Sequence, residues 1–479
     1  MKKLLSILLC LVLVVTSCAL LVGCSSDKGA ATLYANNLVN EITNEGDDYI
    51  ITLNGEHSVD TLILEEKTDN VNSFGVYGYD KDDKPCLIYR QNRIDKYRVC
   101  ALDAMVTSKL KIEIFDKKGK VKIDNIEVYD SSASKREAPF RVTEYLMSTD
   151  QKLQNNRNNS ELYEHLKVVT DLVLIGEISM DAQGNVICNE GAEDFASDMA
   201  ILNEFKTKIK NPNMKIIASV DIQSNTIPAD VKDKYKNKEV YKWIKKNLAT
   251  ISSNLTAFAN QYGLDGIDLD WQYPENGTQW NWYSKLIVEL GNKLKADNKI
   301  LTATLRPNAC SLSKKARTAL EYVNLMTYDM FDERGEHSSN YETCRHSVEE
   351  FMKKSKFTAD KITLGIPFYG RTTNQSIIIF EYGEYFGKKA DTEIDKWVNK
   401  IYNYKYLDKD GIEKYSEVYY NGYAMIRDKV TYALASGLGG VSIFRLSYDI
   451  SSKREYSLHN AVAEAIERAM PKATSTNAK

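Results

Sequence analysis

Apolar and polar positions alternate in short runs near the start of the chain, at residues 49–53, 61–64, 74–77, 87–89, 97–99, 110–115 and 123–129. Alternation with period two is the pattern of a strand with one buried face. Turn-forming clusters separate the runs, among them Asn54-Gly55, Asp80-Lys81-Asp82-Asp83 and Lys117-Lys118-Gly119-Lys120. No long helical period intervenes, so residues 49–130 are predicted to form a small β-sandwich. A polar stretch at 131–138 reads as a linker. Beyond it the pattern changes to apolar runs at 140–147, 172–178, 214–220, 266–271, 300–305, 323–328, 362–368 and 440–444. Amphipathic helical stretches such as 240–262 and 280–295 lie between them. Strands alternating with helices predict an α/β fold, a (β/α)8 TIM barrel over residues 139–470. That span exceeds the roughly 250 residues of a bare barrel. The excess, at about 372–420, is expected to be an insertion forming one wall of a cleft, and the polar tail 471–479 is expected to fray.

The first residues follow a different pattern. Met1-Lys2-Lys3 is basic, an apolar run extends from Leu4 to Val22, and Leu21-Val22-Gly23-Cys24 precedes polar Ser25-Ser26. This resembles a bacterial lipoprotein signal. The resemblance implies a removed leader at 1–23, lipidation of Cys24, a linker to residue 48, and an extracytoplasmic protein lipid-anchored to the bacterial cell membrane. An uncleaved membrane anchor is the alternative, and it places the remainder outside the cytoplasm as well.

Composition narrows the function. The chain has 479 residues, 43% hydrophobic and 27% charged, with 63 Lys and Arg against 66 Asp and Glu. These values exclude a disordered chain, a collagen and a polytopic membrane protein. The balanced charge, with no basic stripe, argues against a nucleic-acid partner. Outside the leader, Cys86, Cys100, Cys188, Cys310 and Cys344 make no disulfide framework and no CxxC pair. Cys86 and Cys100 could pair or remain free thiols. The histidines form no HExxH and no close cluster in sequence, so neither a catalytic metal nor a cofactor is expected.

The richest chemistry lies in Asp265-Gly266-Ile267-Asp268-Leu269-Asp270-Trp271-Gln272. On a barrel strand, period two sends Asp268, Asp270 and Gln272 to one side, the lumen or its mouth. Two carboxylates there repel and lose solvation, so one should hold a proton. The bland alternative is a strand end capped by solvated acids. The stretch resembles the DxxDxDxE signature of glycoside hydrolase family 18, the chitinases and endo-β-N-acetylglucosaminidases. Similar matches are Met326-Thr327-Tyr328-Asp329, Leu364-Gly365-Ile366-Pro367-Phe368-Tyr369-Gly370-Arg371 and Gly437-Leu438-Gly439-Gly440-Val441. Residues 59–129 look like a discoidin-like, galactose-binding-like module, which either binds sugar or acts as a spacer.

The family resemblance implies substrate-assisted hydrolysis, in which the substrate's own acetamide attacks the anomeric carbon. It implies that Asp270 orients the acetamide, that Asp268 shares its proton, and that Tyr328 bonds the acetamide carbonyl with Asp329 beside it. Tyr145 and Phe444 are expected at the sugar pocket, Phe444 standing where the family has Trp. Trp280 and Trp282 are candidates either for sugar stacking or for packing. Position 272 should be the Glu that protonates the leaving oxygen, and here it is Gln. The family's SxGG motif reads Ser219-Val220-Asp221-Ile222. The expectation is a surface protein that binds N-acetylglucosamine-containing glycans, whether chitin, peptidoglycan or N-glycan, with lost or reduced hydrolysis. A working hydrolase with a substitute acid, and a scaffold that binds no sugar, are the alternatives; of the acids considered, Glu177 on the second strand is expected to face the lumen, whereas Glu275, past Pro274, is expected to point elsewhere.

Overall fold

The computed structural model describes residues 34, 36–133, 136, 139–147, 164–222, 233–330, 340–372, 378–408 and 410–469. The leader with Cys24, residues 134, 135, 137 and 138 of the linker, and the tail 470–479 lie outside the described residues.

Six antiparallel strands form the first part: β1 (Val39–Glu45), β2 (Asp48–Glu66), β3 (Val71–Tyr79), β4 (Pro85–Gln91), β5 (Tyr97–Lys117) and β6 (Ile123–Tyr129). They make one sheet in the order β1-β2-β5-β3-β4, with β6 also on β2. Asn54-Gly55, expected to be a turn, is instead an irregularity inside the long strand β2. The pairing of β2 with β5 shifts register between Thr52 and His57, and Gly55 takes φ 143°, which a side chain would disfavour. The predicted runs 49–53 and 61–64 are therefore one strand, as are 97–99 and 110–115. Bending lets the sheet close over its own core, which includes Ile51, Leu62, Leu64, Phe74, Val76, Cys100 and Ile112. Cys86 and Cys100 are unpaired, the first exposed and the second buried.

The barrel runs β7 (Arg141–Met147), β8 (Asp171–Met180), a short β9 (Val186–Cys188), α1 (Ala192–Lys208), β10 (Lys215–Asp221), α2 (Asp233–Gln261), β11 (Gly266–Asp270), α3 (Gly277–Ala296), β12 (Ile300–Leu305), α4 (Lys314–Ala319), β13 (Tyr322–Leu325), α5 (Tyr341–Ser355) and β14 (Ile362–Pro367). An insertion then carries β15 (Tyr369–Gly370), β16 (Phe380–Glu381), α6 (Tyr382–Phe386) and the hairpin β17 (Lys400–Leu407) and β18 (Glu413–Tyr419), followed by α7 (Tyr423–Ala435), β19 (Gly440–Phe444) and α8 (Leu458–Ala469). β9 pairs antiparallel with β8. Every other neighbouring pair in the sheet is parallel, and β19 pairs back onto β7, which closes an eight-stranded barrel. Tyr145, Val173 and Ile217 fill part of its lumen. Gly365 permits a close approach: a Cβ there would fall 2.2 Å from the Leu325 carbonyl oxygen and 3.1 Å from the Tyr328 ring.

Helix α7 is buried at every position, Arg427, Asp428 and Lys429 included, because it lies between the barrel and the N-terminal sheet. Asp428 accepts from Arg98 Nη2 and Tyr89 Oη, both at 2.7 Å, and from the Ala101 N–H at 2.9 Å. Arg427 donates to Asp103 at 2.7 Å, and the Tyr341 hydroxyl accepts from the Val99 N–H at 2.8 Å.

A second buried cluster ties the first barrel strand to the segment after the last. Glu144 on β7 and Asp449 beyond β19 each lie 2.8 Å from a ring nitrogen of His459, and the His165 ring packs against it, tilted by 32° with centroids 4.2 Å apart. Burial would lower the His459 pKa, but Glu144 and Asp449 outweigh it and raise it to about 9. Burial pushes Glu144 up to about 7 against the pull of His459. Burial, reinforced by the charge on His459, holds His165 down at about 4.

Two predictions follow from these clusters. Asp428→Ala removes the closest anion from buried Arg98 and leaves it only Asp95 at 3.5 Å; it should cost about 3 kcal/mol in urea unfolding, whereas the pair Arg98→Met/Asp428→Leu should recover much of that. For His459, a folded value of about 9 against an ordinary 6.5 means its contribution is complete below pH 6.5 and disappears as pH rises through 9. Unfolding free energy should fall by about 1 kcal/mol per pH unit toward pH 9. NMR titration of the ring should show the high value directly, and an ordinary imidazole titration near 6.5 would contradict this assignment.

Candidate active site

Strand β11 places Asp268 and Asp270 on the lumen side, with Gln272 just beyond its end. Asp268 is fully buried. Its carboxylate accepts from Thr302 Oγ1 at 2.6 Å and from Ser219 Oγ and Thr304 Oγ1 at 3.0 Å each. The hydroxyls come from β10 and β12, the strands on either side, because Ser219 and Thr302 are level with Asp268 and Thr304 with Asp270. Burial raises the Asp268 pKa, while the three hydroxyls draw it back. Asp270, one step higher, is pushed up to about 8 by burial and then by Asp268, against the pull of the Gln272 amide. It is therefore mostly protonated at neutral pH. Gln272 Nε2 donates to Asp270 Oδ2 at 2.8 Å, and Asp270 Oδ1 is buried with no hydrogen-bond partner.

Above these groups opens a cavity of about 730 Å³, lined by residues that include Gln272, Tyr273, Arg306, Met326, Tyr328, Asp329, Tyr369, Arg371 and Phe444. Helix α5 contributes His346, Ser347, Glu350 and Lys354, and of the predicted insertion Ile378 takes part. Phe444 lies 6.0 Å from the rings of both Tyr145 and Tyr328, and 6.1 Å from those of Tyr369 and Tyr448. The result is an aromatic floor suited to the apolar face of a sugar ring. Tyr145 is itself buried, its hydroxyl 2.9 Å from Thr304 Oγ1. Asp329 adopts φ 58°, a left-handed conformation that Asp tolerates. There its Oδ1 accepts from the Tyr369 hydroxyl at 2.7 Å and lies 2.9 Å from Arg371 Nε.

Of the predicted residues, Gln272, Tyr328, Asp329 and Phe444 line this space, while Asp268, Asp270 and Tyr145 lie beneath it, joined to the lining through the Asp270–Gln272 hydrogen bond and the Tyr145–Phe444 ring contact. Trp280 and Trp282 are not among the residues that line it. Both stand on α3, outside the barrel wall: Trp280 is buried beside Tyr283. Trp282, two residues on and turned away from that face, lies under Lys285, whose Nζ is 3.8 Å from the ring centroid. Glu177 does not face the lumen as expected. Gly176 at φ 78° breaks the alternation of β8 and turns Glu177 out beside Asp198 and Glu190, where burial and those two charges raise its pKa to about 8. Glu275 is exposed ahead of α3 and does not line the cavity.

Sequence reading passed over the hydroxyls Thr302 and Thr304, although Thr-Ala-Thr in an otherwise apolar strand was a period-two signal for them. It also treated the histidines as scattered, whereas His165 and His459 meet in space. With Asp449 they are, among the described residues, the one His and carboxylate group whose ligand atoms lie within 4.8 Å of one another. Both ring nitrogens of His459 already face carboxylates, so the arrangement suits a clamped imidazolium better than a shared ion.

The sequence profile of glycosyl hydrolases family 18 matches residues 144–449. Chitinase 1 of Aphanocladium album is 24% identical over 284 residues, covering 50% of this chain and 63% of that protein. Chitinase-like protein Idgf4 of Glossina morsitans morsitans is 26% identical over 213 residues, 34% of this chain and 47% of that protein. The chain thus spans less than two thirds of either relative. The crystal structure of the GH18 chitinase ChiB from the chitin utilization locus of Flavobacterium johnsoniae superposes with a TM-score of 0.51 at 24% identity, covering 69% of this chain and 94% of that one, and so shares the fold. With the profile covering most of the barrel and the carboxylate strand at its centre, this chain belongs to glycosyl hydrolases family 18.

Proposed function

We propose that the barrel binds N-acetylglucosamine-containing glycans at this cavity and hydrolyses them slowly or not at all, in a protein held at the outer face of a bacterial membrane by lipid on Cys24. The observation that carries the reading is Gln272. It stands at the cavity, bonded to Asp270, where the family resemblance puts the proton donor. A carboxamide keeps the shape and reach of a carboxylic acid but has no proton to give near neutral pH. General acid catalysis is worth about 10² to 10⁴ in rate, and a sugar leaving group depends on it. The binding features remain: an aromatic floor, the Tyr328 hydroxyl, and an unfilled hydrogen-bonding position on Asp270 that an acetamide would complete. Relatives carrying both chitinase and chitinase-like names are consistent with a site in which binding and cleavage are separable.

A residual hydrolase is favoured by one feature, the carboxyl of Asp329 on the cavity wall. Glu350, the other carboxyl lining the cavity, is held below its usual range by hydrogen bonds from Lys354 and Lys353 and is a poor donor.

Reducing-end release from N-acetylglucosamine tetramer, with binding measured calorimetrically on the same ligand, tests the proposal. The protein should bind without measurable turnover, and Gln272→Glu should raise turnover by about 10²-fold or more. Asp270→Ala should weaken binding roughly tenfold, the effect of one lost hydrogen bond to the ligand. Turnover at ordinary enzymatic rates that Asp329→Asn abolishes would establish the hydrolase reading instead, and no binding at all would leave a scaffold.

A further inference from the structure

The charges around the cavity do not suit a neutral polymer alone. Among the described residues its basic side chains are Arg306, Arg371, Lys354 and His346, and its carboxylates are Asp329 and Glu350. Arg371 is engaged by Asp329 at 2.9 Å and Lys354 by Glu350 at 3.1 Å. Among the described residues Arg306 has no carboxylate partner. Its guanidinium lies 3.6 Å from the centroid of the Tyr273 ring, and the residue is exposed just past the end of β12. Tyr273 follows Gln272 directly, so this cation stands beside the position where a glycosidic oxygen would meet the missing acid. Gln272 is neutral. Asp270 and Asp329 act electrostatically on the Tyr273 ring beneath Arg306, but Asp270 is mostly protonated at neutral pH and Asp329 is engaged by Arg371.

A stacked guanidinium is held in orientation by the ring and still presents a planar fork of donors, the arrangement that matches a carboxylate. Poly-N-acetylglucosamine offers it only neutral acceptors, hydroxyl and acetamide oxygens among them, and no carboxylate. Resting on the glycan-binding reading above, we propose that Arg306 selects an acetamidoglycan bearing a carboxylate on the sugar next to the one seated over Phe444, the chemistry of a strand in which N-acetylglucosamine alternates with its lactyl-ether acid, N-acetylmuramic acid. The overall charge of −3 makes this a local feature of the cavity, since the rest of the surface would repel such a polymer at long range.

Calorimetry on the whole protein with three tetrasaccharides separates the possibilities: the N-acetylglucosamine tetramer, the peptide-free alternating N-acetylglucosamine and N-acetylmuramic acid oligomer, and the methyl ester of that oligomer. The acid should bind at least tenfold tighter than its ester at low ionic strength, and the gap should narrow as salt is raised. Arg306→Gln should shrink the ratio of acid to ester toward one, and Arg306→Lys should keep part of it. Equal binding of acid and ester, or a preference that Arg306→Gln leaves in place, overturns the assignment. In either case binding of the N-acetylglucosamine tetramer would leave the glycan-binding reading standing. Failure of all three ligands to bind would remove both.

Discussion

A carboxyl group sealed inside a barrel must be neutralised or fully hydrogen-bonded, and Asp268 is met by three hydroxyls from the two strands beside it. That requirement fixes the register of β10, β11 and β12 together, because a slip by one residue would turn the hydroxyls into the helical layer and leave the carboxyl bare. With Asp268 held, Asp270 must stand one step nearer the mouth and Gln272 one step beyond. The same rule places Tyr145 over Thr304 and so sets the height of the aromatic floor. The electrostatics of the site are a consequence of packing: Asp270 is protonated at neutral pH because it is buried, and Asp268 below it adds to the effect.

Much of this was legible in the sequence, because barrel strands are buried on both faces and read as apolar runs. The eight runs predicted for the barrel correspond to its eight parallel strands, and the acids alternating in 265–272 could face only inward. What stayed hidden depends on partners distant along the chain. Whether Asn54-Gly55 turns or bulges is decided by β5, which pairs across it. Whether Glu177 faces in or out is decided by Gly176, a backbone irregularity that a period-two count steps over. Trp280 and Trp282 lie close in sequence to the carboxylate strand, but the turn into α3 carries them to the other side of the wall. His165 and His459 come together only when the ring of strands closes.

The two buried ionic clusters stand on opposite principles. Around His459 an imidazolium is shared between two carboxylates, so one proton joins three charged groups and its loss would leave two anions in a dry interior. Around Asp428 the carboxylate is the shared element, accepting from a guanidinium, a phenol and a backbone N–H. In each case the central group belongs to the helical layer and at least one partner to a strand: Glu144 for His459, and Arg98, Tyr89 and Ala101 for Asp428. Polar groups here join layers that apolar packing alone would leave free to slide.

Helix α7 has a consequence for descent. It is buried on all sides because two domains share it, and a charge from each is completed by the other. A module passed between genes needs a surface that water can accept on its own, and neither half here has one. Sheet and barrel must therefore be inherited together, and drift at position 98 is tolerable only with matching drift at 428, so that this pair should change in step across descendants even where the cavity residues diverge for different sugars.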